Sequence, residues 1–142
     1  MNLINRTKSK INKDFFEKIA KDTFSYLNEK SNYDFDVVLV SDDEIKNLNK
    51  KYRKIDKVTD VLTFNIKEEN FLGQIFICID QVKRQAKKIE RNDKEELAEI
   101  FIHGILHLFD YNDENEKGYK KMVFLQKEIL FRLRKILDKF YS

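Results

Sequence analysis

Proline and tryptophan are absent from this 142-residue chain, cysteine occurs once, histidine twice and glycine three times. Each scarcity excludes something. One thiol, Cys78, cannot close an internal disulfide, which rules out a stapled scaffold and fits a reducing compartment. Cys78 lies in Ile75-Phe76-Ile77-Cys78-Ile79 and reads as a small buried hydrophobe. No Pro/Gly/Ser-rich linker, repeat or low-complexity tract breaks the chain, so residues 1–142 read as a single domain. No apolar run approaches the ~18 residues of a membrane span. Met1-Asn2-Leu3-Ile4-Asn5-Arg6 lacks a secretory apolar region. The expectation is a cytoplasmic protein with no membrane partner. Charge of one sign is also scarce: 28 Lys and Arg against 25 Asp and Glu leave +3, so any nucleic-acid affinity must come from local clustering.

What is present is globular. A hydrophobic content of 42% with 12 phenylalanines supplies a core, and a chain of this length buries about 68–70% of its unfolded surface without needing staples. Apolar spacing predicts a helix over 11–30, from Phe15, Phe16, Ile19, Ala20, Phe24 and Leu27. Phe35–Val40 reads as a strand. Ser41 with Glu44 forms a capping-box signal for a helix to about Tyr52. Val58–Ile66 and Leu72–Ile79 read as strands, and Asp80 opens a short helix to about Ile89. Asp93-Lys94-Glu95-Glu96 signals the start of a helix over Lys94–Phe109, apolar on nearly all sides from Ile100. A polar turn at Asp110–Asn115 leads to a last helix reaching about Phe140. Its stripe is Met122, Leu125, Ile129, Leu133, Ile136 and Leu137. This pattern predicts an α+β fold: a small mixed β-sheet covered by helices, with a central buried helix.

That central helix carries both histidines, in His103-Gly104-Ile105-Leu106-His107. Positions i and i+4 share a helix face one turn apart, so both imidazoles can reach one metal ion from the same side. Two imidazoles among Ile, Leu and Phe need partners, because burying them unpaired is costly. Gly104 costs ~1 kcal/mol relative to Ala inside a helix, so a close approach of another backbone or of substrate is expected there. Gly104 also occupies the place where H-E-x-x-H peptidases keep their general-base glutamate, which argues against peptide hydrolysis.

Extended downstream, the motif resembles the YbeY family of bacterial metal-dependent endoribonucleases, whose signature is H-G-x-L-H-L-x-G-Y-D-H. His103, Gly104, Leu106, His107, Leu108 and Tyr111 match it. Two further blocks are similar in the same order: Tyr52-Arg53 with Thr59-Asp60-Val61-Leu62-Thr63-Phe64 resembles Y-R…T-D-V-L-S-F, and Leu72-Gly73-Gln74-Ile75 resembles L-G-D-I. Three departures matter. Asp113 stands at the family's third histidine, Asp110 at its turn glycine and Gln74 at its aspartate. A carboxylate ligates zinc at about 2.0–2.2 Å, so His103, His107 and Asp113 form the expected metal set, with Glu114 or Glu116 as substitutes should Asp113 not reach. A His₂Asp set is one negative charge richer than His₃ and makes the metal a weaker Lewis acid. Asp110 suits a left-handed turn. Gln74 receives no role.

The resemblance implies a single-strand-specific endoribonuclease that processes ribosomal RNA, at the 16S 3′ end, during ribosome maturation. Single-stranded and ribosomal RNA and the small ribosomal subunit would be its partners, and one Zn²⁺ its cofactor. Arg53, His103 and His107 would be catalytic. Arg53 would bind the scissile phosphate with its planar fork. Either water or the RNA 2′-OH could serve as nucleophile, and the two leave different RNA ends. Lys51, Lys54 and Lys57 are candidate RNA contacts, although cations at a helix end also simply complement its dipole. Thr59 and Asp60 read as turn-fixing residues. Tyr52, Phe64 and Tyr111 could stack bases, and Arg132, Arg134 and Lys135 read as a solvated helix face. Two rival readings stand beside this one: a ribosome-assembly RNA-binding factor whose metal is structural or lost, and a non-RNA metallohydrolase.

Overall fold

The computed structural model describes the backbone of residues 1–30 and 32–141, with side chains through residue 134. The expected stripe positions Ile136 and Leu137, and Lys135, lie outside the described side chains. Among the described residues the strands are β1 (Asn2–Asn5), β2 (Asp34–Leu39), β3 (Val61–Glu68) and β4 (Phe71–Ile77). The helices are α1 (Lys13–Tyr26), α2 (Asp42–Arg53), α3 (Ile79–Lys88), α4 (Asp93–Leu108) and α5 (Glu116–Tyr141). The strands form one sheet in the order β1-β2-β4-β3, with β1–β2 and β2–β4 parallel and β3–β4 antiparallel. This is the small mixed sheet of an α+β fold.

Alternation along the strands splits the interior in two. Phe35, Val37 and Leu39 of β2, with Ile75 and Ile77 of β4, face the larger core under α1, α4 and α5. Val38, Val40, Leu62, Phe76 and Cys78 face the smaller core under Ile45 of α2. α4 is the buried central helix, with Leu97, Phe101, Ile102, Ile105 and Leu106 almost wholly excluded from solvent.

Several boundaries differ from expectation for identifiable reasons. β1 went unrecognised because Asn2–Asn5 holds only two apolar residues; its pairing with β2 makes it a strand. α1 stops at Tyr26 because Asn28 adopts φ 57°. α4 starts one residue early: Asn92, not the acidic run, is the N-cap, accepting from Lys94 N at 2.8 Å. Ser41 caps α2 by accepting from Glu44 N at 3.2 Å, but the Glu44 carboxylate pairs with Arg6, so only half the capping box forms. β3 begins at Val61 rather than Val58, because the preceding residues form a loop held by the side chain of Asn49, which donates to Lys57 O at 3.0 Å.

Candidate metal centre and cleft

The end of α4 places both histidines. Their Nε2 atoms face each other at 2.9 Å, as one-turn spacing dictates. Beyond Leu108 the chain turns back sharply. Asp110 takes φ 69°, and Asp110 N and Tyr111 N donate to the carbonyls of His107 and Leu106, each at 3.0 Å. Asp at the turn position thus fills a left-handed conformation. The reversal carries Asp113 back over the helix, with Oδ2 at 4.0 Å from His103 Nε2. One donor atom from each of His103, His107 and Asp113 lies within 4.8 Å of the others.

Neighbours fix this turn. Asn65 of β3 donates to His107 O at 2.9 Å and to Asp110 Oδ1 at 3.3 Å, and Lys67 pairs with Asp110. Asn65 can sit there because its partner across the ladder is Gly73. A Cβ on Gly73 would lie 2.0 Å from Phe64 O, and its φ of 153° is one that side chains rarely adopt. Gly104 serves a different approach from those expected: an added Cβ would lie 2.9 Å from Ile75 Cγ2, so it is a buried side chain of the sheet that presses on α4 there.

The histidine pair opens into a cleft of about 510 Å³ walled by Arg53, Thr59, Asp60, Thr63, Asn65 and the 110–113 turn. Arg53 is the last residue of α2. The helix stops there because Lys54 takes φ 60° and its N–H closes on Lys50 O at 3.1 Å. The structure brings Arg53 to the same cleft as His103, His107 and Asp113, but Lys51, Lys54 and Lys57 do not line it. Lys51 Nζ instead lies 5.2 Å from the ring centre of the exposed Tyr52. Asp60 lines the cleft, yet its Oδ2 accepts from Gln85 at 3.1 Å and its carbonyl from Cys78 N at 2.9 Å, a structural engagement. Gln74 lies on the other sheet face, donating to Asp36 at 3.1 Å. Among the far basic residues, Arg132 covers the Tyr26 ring at 4.8 Å and Arg134 reaches Glu95 at 3.4 Å, both away from the cleft.

The donor chemistry fits a divalent metal of zinc type. Burial, reinforced by repulsion from His103, lowers the His107 pKa from its ordinary value and favours the neutral ring that a metal would need, against the opposing pull of Asp113. Three protein donors on one side of an open cleft leave coordination positions for a substrate or water. Sequence reading missed two supporting residues, Asn65 and Gln126. Gln126 of α5 sits 2.8 Å from His103 Nδ1; its only signal was a polar residue on the i, i+4 stripe of apolar Met122 and Leu130.

Comparison with known proteins follows the geometry. A family model described as Endoribonuclease YbeY matches residues 2–134. A protein named Endoribonuclease YbeY from Aquifex aeolicus is 39% identical over 142 aligned positions, covering 95% of this chain and 93% of its own length. Its namesake from Phytoplasma australiense is 36% identical, covering 91% and 92%. The one from Thermotoga petrophila is 47% identical over a shorter stretch, 62% of this chain and 59% of that protein. A solution structure of a Thermotoga maritima protein superposes with a TM-score of 0.71 at 31% identity, covering 97% of this chain and 91% of that one. The family is one of nuclease hydrolases, and the α+β fold described above is shared with that solved structure. The chain belongs to that family, endoribonuclease YbeY.

Proposed function

We propose that this protein is a zinc-dependent endoribonuclease that cuts single-stranded RNA, acting in the cytoplasm on ribosomal RNA, at the 16S 3′ end, in association with the small ribosomal subunit. The observation that carries the reading is the meeting of His103, His107 and Asp113 with Arg53 across one cleft. His103, His107 and Asp113 would hold the ion. When bound, zinc would supply Lewis-acid polarisation at the phosphate. Arg53 would grip the scissile phosphate bidentately and stabilise the charge that develops on it. It makes no ion pair with a carboxylate among the described residues, so its guanidinium is available for an anion. Tyr52, beside Arg53 and 56% exposed, offers a face for base stacking. The single-strand reading is supported by Tyr111 and Arg53 lining the same cleft, since unstacked bases are what such pairs bind.

Peptide hydrolysis gains no support. The space beside Gly104 is filled by Ile75, so a general-base carboxylate has no room there. The test is metal content by plasma mass spectrometry alongside cleavage of single-stranded and duplex RNA, including a 16S 3′-end precursor. About one zinc per chain, reduced in His107→Ala and Asp113→Ala together with single-strand cleavage, is expected. RNA binding that persists in a His103→Ala/His107→Ala variant, with no cleavage by either protein, would replace this reading with a binding factor.

A further inference from the structure

Behind the histidine pair, the polar contact comes from the last helix. Gln126 stands on the inward stripe of α5, one turn from buried Met122 and one turn from buried Leu130. Its Oε1 lies 2.8 Å from His103 Nδ1. A carbonyl oxygen only accepts, so this contact requires the proton on Nδ1. His103 Nε2 then turns a lone pair toward His107 Nε2 and Asp113. In front, His103 Nε2 and His107 Nε2 converge at 2.9 Å, close enough for one cation to take both.

We propose that Gln126 is a positioning residue that holds His103 in the Nδ1–H tautomer and aims Nε2 at the cation. This rests on the metal-centre reading above. The tie crosses from α5 to α4, so the last helix sets the ligand geometry of a motif 23 residues upstream. An outer acceptor of this kind typically accounts for about 10–100-fold in metal affinity. Were the Gln126 amide turned to present its NH₂, His103 would carry its proton on Nε2 and could not ligate there.

The full-length chain tests this without RNA. Long-range ¹⁵N–¹H correlation spectra of the metal-free protein read the His103 tautomer, and competition with a chromophoric chelator reads zinc affinity. Wild type should show Nδ1–H. Gln126→Ala should admit the Nε2–H form and weaken zinc binding about 10–100-fold. Gln126→Glu, which only accepts, should keep the wild-type tautomer and bind zinc far better than the alanine variant. Nε2–H at His103 in wild type would overturn the proposal, as would a folded Gln126→Ala with unchanged tautomer and affinity. If the alanine variant does not fold, loss of Nδ1–H in the glutamate variant overturns it instead. A wild type that binds no zinc defeats the metal reading alone; the tautomer in the metal-free chain still decides the role of Gln126.

Discussion

Gly104 of α4 and Ile75 of β4 are in such close contact that a single added methyl at position 104 would stand 2.9 Å from Ile75 Cγ2 and 3.2 Å from its Cδ1. Ile75 is fully buried and has no free direction in which to withdraw. Gly104→Ala therefore sets a helix-propensity gain of ~1 kcal/mol against overpacking of about 1–3 kcal/mol. The expected net loss is about 1 kcal/mol, read from urea denaturation midpoints at constant m-value. A more stable variant would mean that α4 can lift off the sheet without cost.

Arg53 gives a prediction about charge geometry. Arg53→Ala should lower the rate of RNA cleavage about 10²–10³-fold, the usual loss when one donor to a developing charge is removed. Arg53→Lys should recover only part of this, because an ammonium keeps the charge but loses the two-pronged fork. Zinc content should be unchanged in both. Full activity in the lysine variant would reduce Arg53 to a point charge.

Cys78 should be silent toward thiol reagents. Burial, with added repulsion from Asp42 and Asp80, pushes its thiol up to about 11, and the side chain is excluded from solvent. The thiolate is the reactive form. Colorimetric titration at pH 8 should therefore find no fast-reacting thiol in the native protein and one per chain in denaturant. Rapid native labelling would mean that the segment between β4 and α3 opens readily.

Asp42 predicts the acid limb of stability. The bond from Arg84, Nη2 to Oδ1 at 2.7 Å, holds the Asp42 carboxyl below its ordinary 3.8, with Cys78 Sγ donating at 3.1 Å. With the folded value depressed, this contribution is complete above the unfolded value of 3.8 and disappears as pH falls through the folded one. Asp42→Asn should melt below wild type at pH 7, with the gap closing in acid below 3.8. The pair is partly exposed, so added salt should shrink the gap as well. A gap independent of pH would trace the loss to packing at the start of α2.

Much of this was legible because the chemistry lay in short, ordered blocks. The i, i+4 histidines declared their own shared face, and the apolar surround of Ile100–Phe109 declared α4 as buried. Asp110 in place of glycine was readable as a left-handed turn, since few other residues accept that conformation. β1 was not legible, because two apolar residues carry no period and parallel pairing is a long-range event. Nor was it legible that Lys51, Lys54 and Lys57 stand outside the cleft that Arg53 lines, since the left-handed stop at Lys54 sets where the chain goes next. Gln126 and Asn65 were hidden for a simpler reason. Their roles depend on which strand and which helix lie beside α4, and local sequence says nothing of that.

The contact from Gln126 to His103 has a consequence for how the molecule comes into being. Synthesis delivers α4 before α5, so a chain halted just past residue 113 carries His103, His107, Asp113 and Arg53, yet lacks the acceptor beside His103 Nδ1. On the proposed reading, the ability to cut RNA in such a molecule would wait for the final helix.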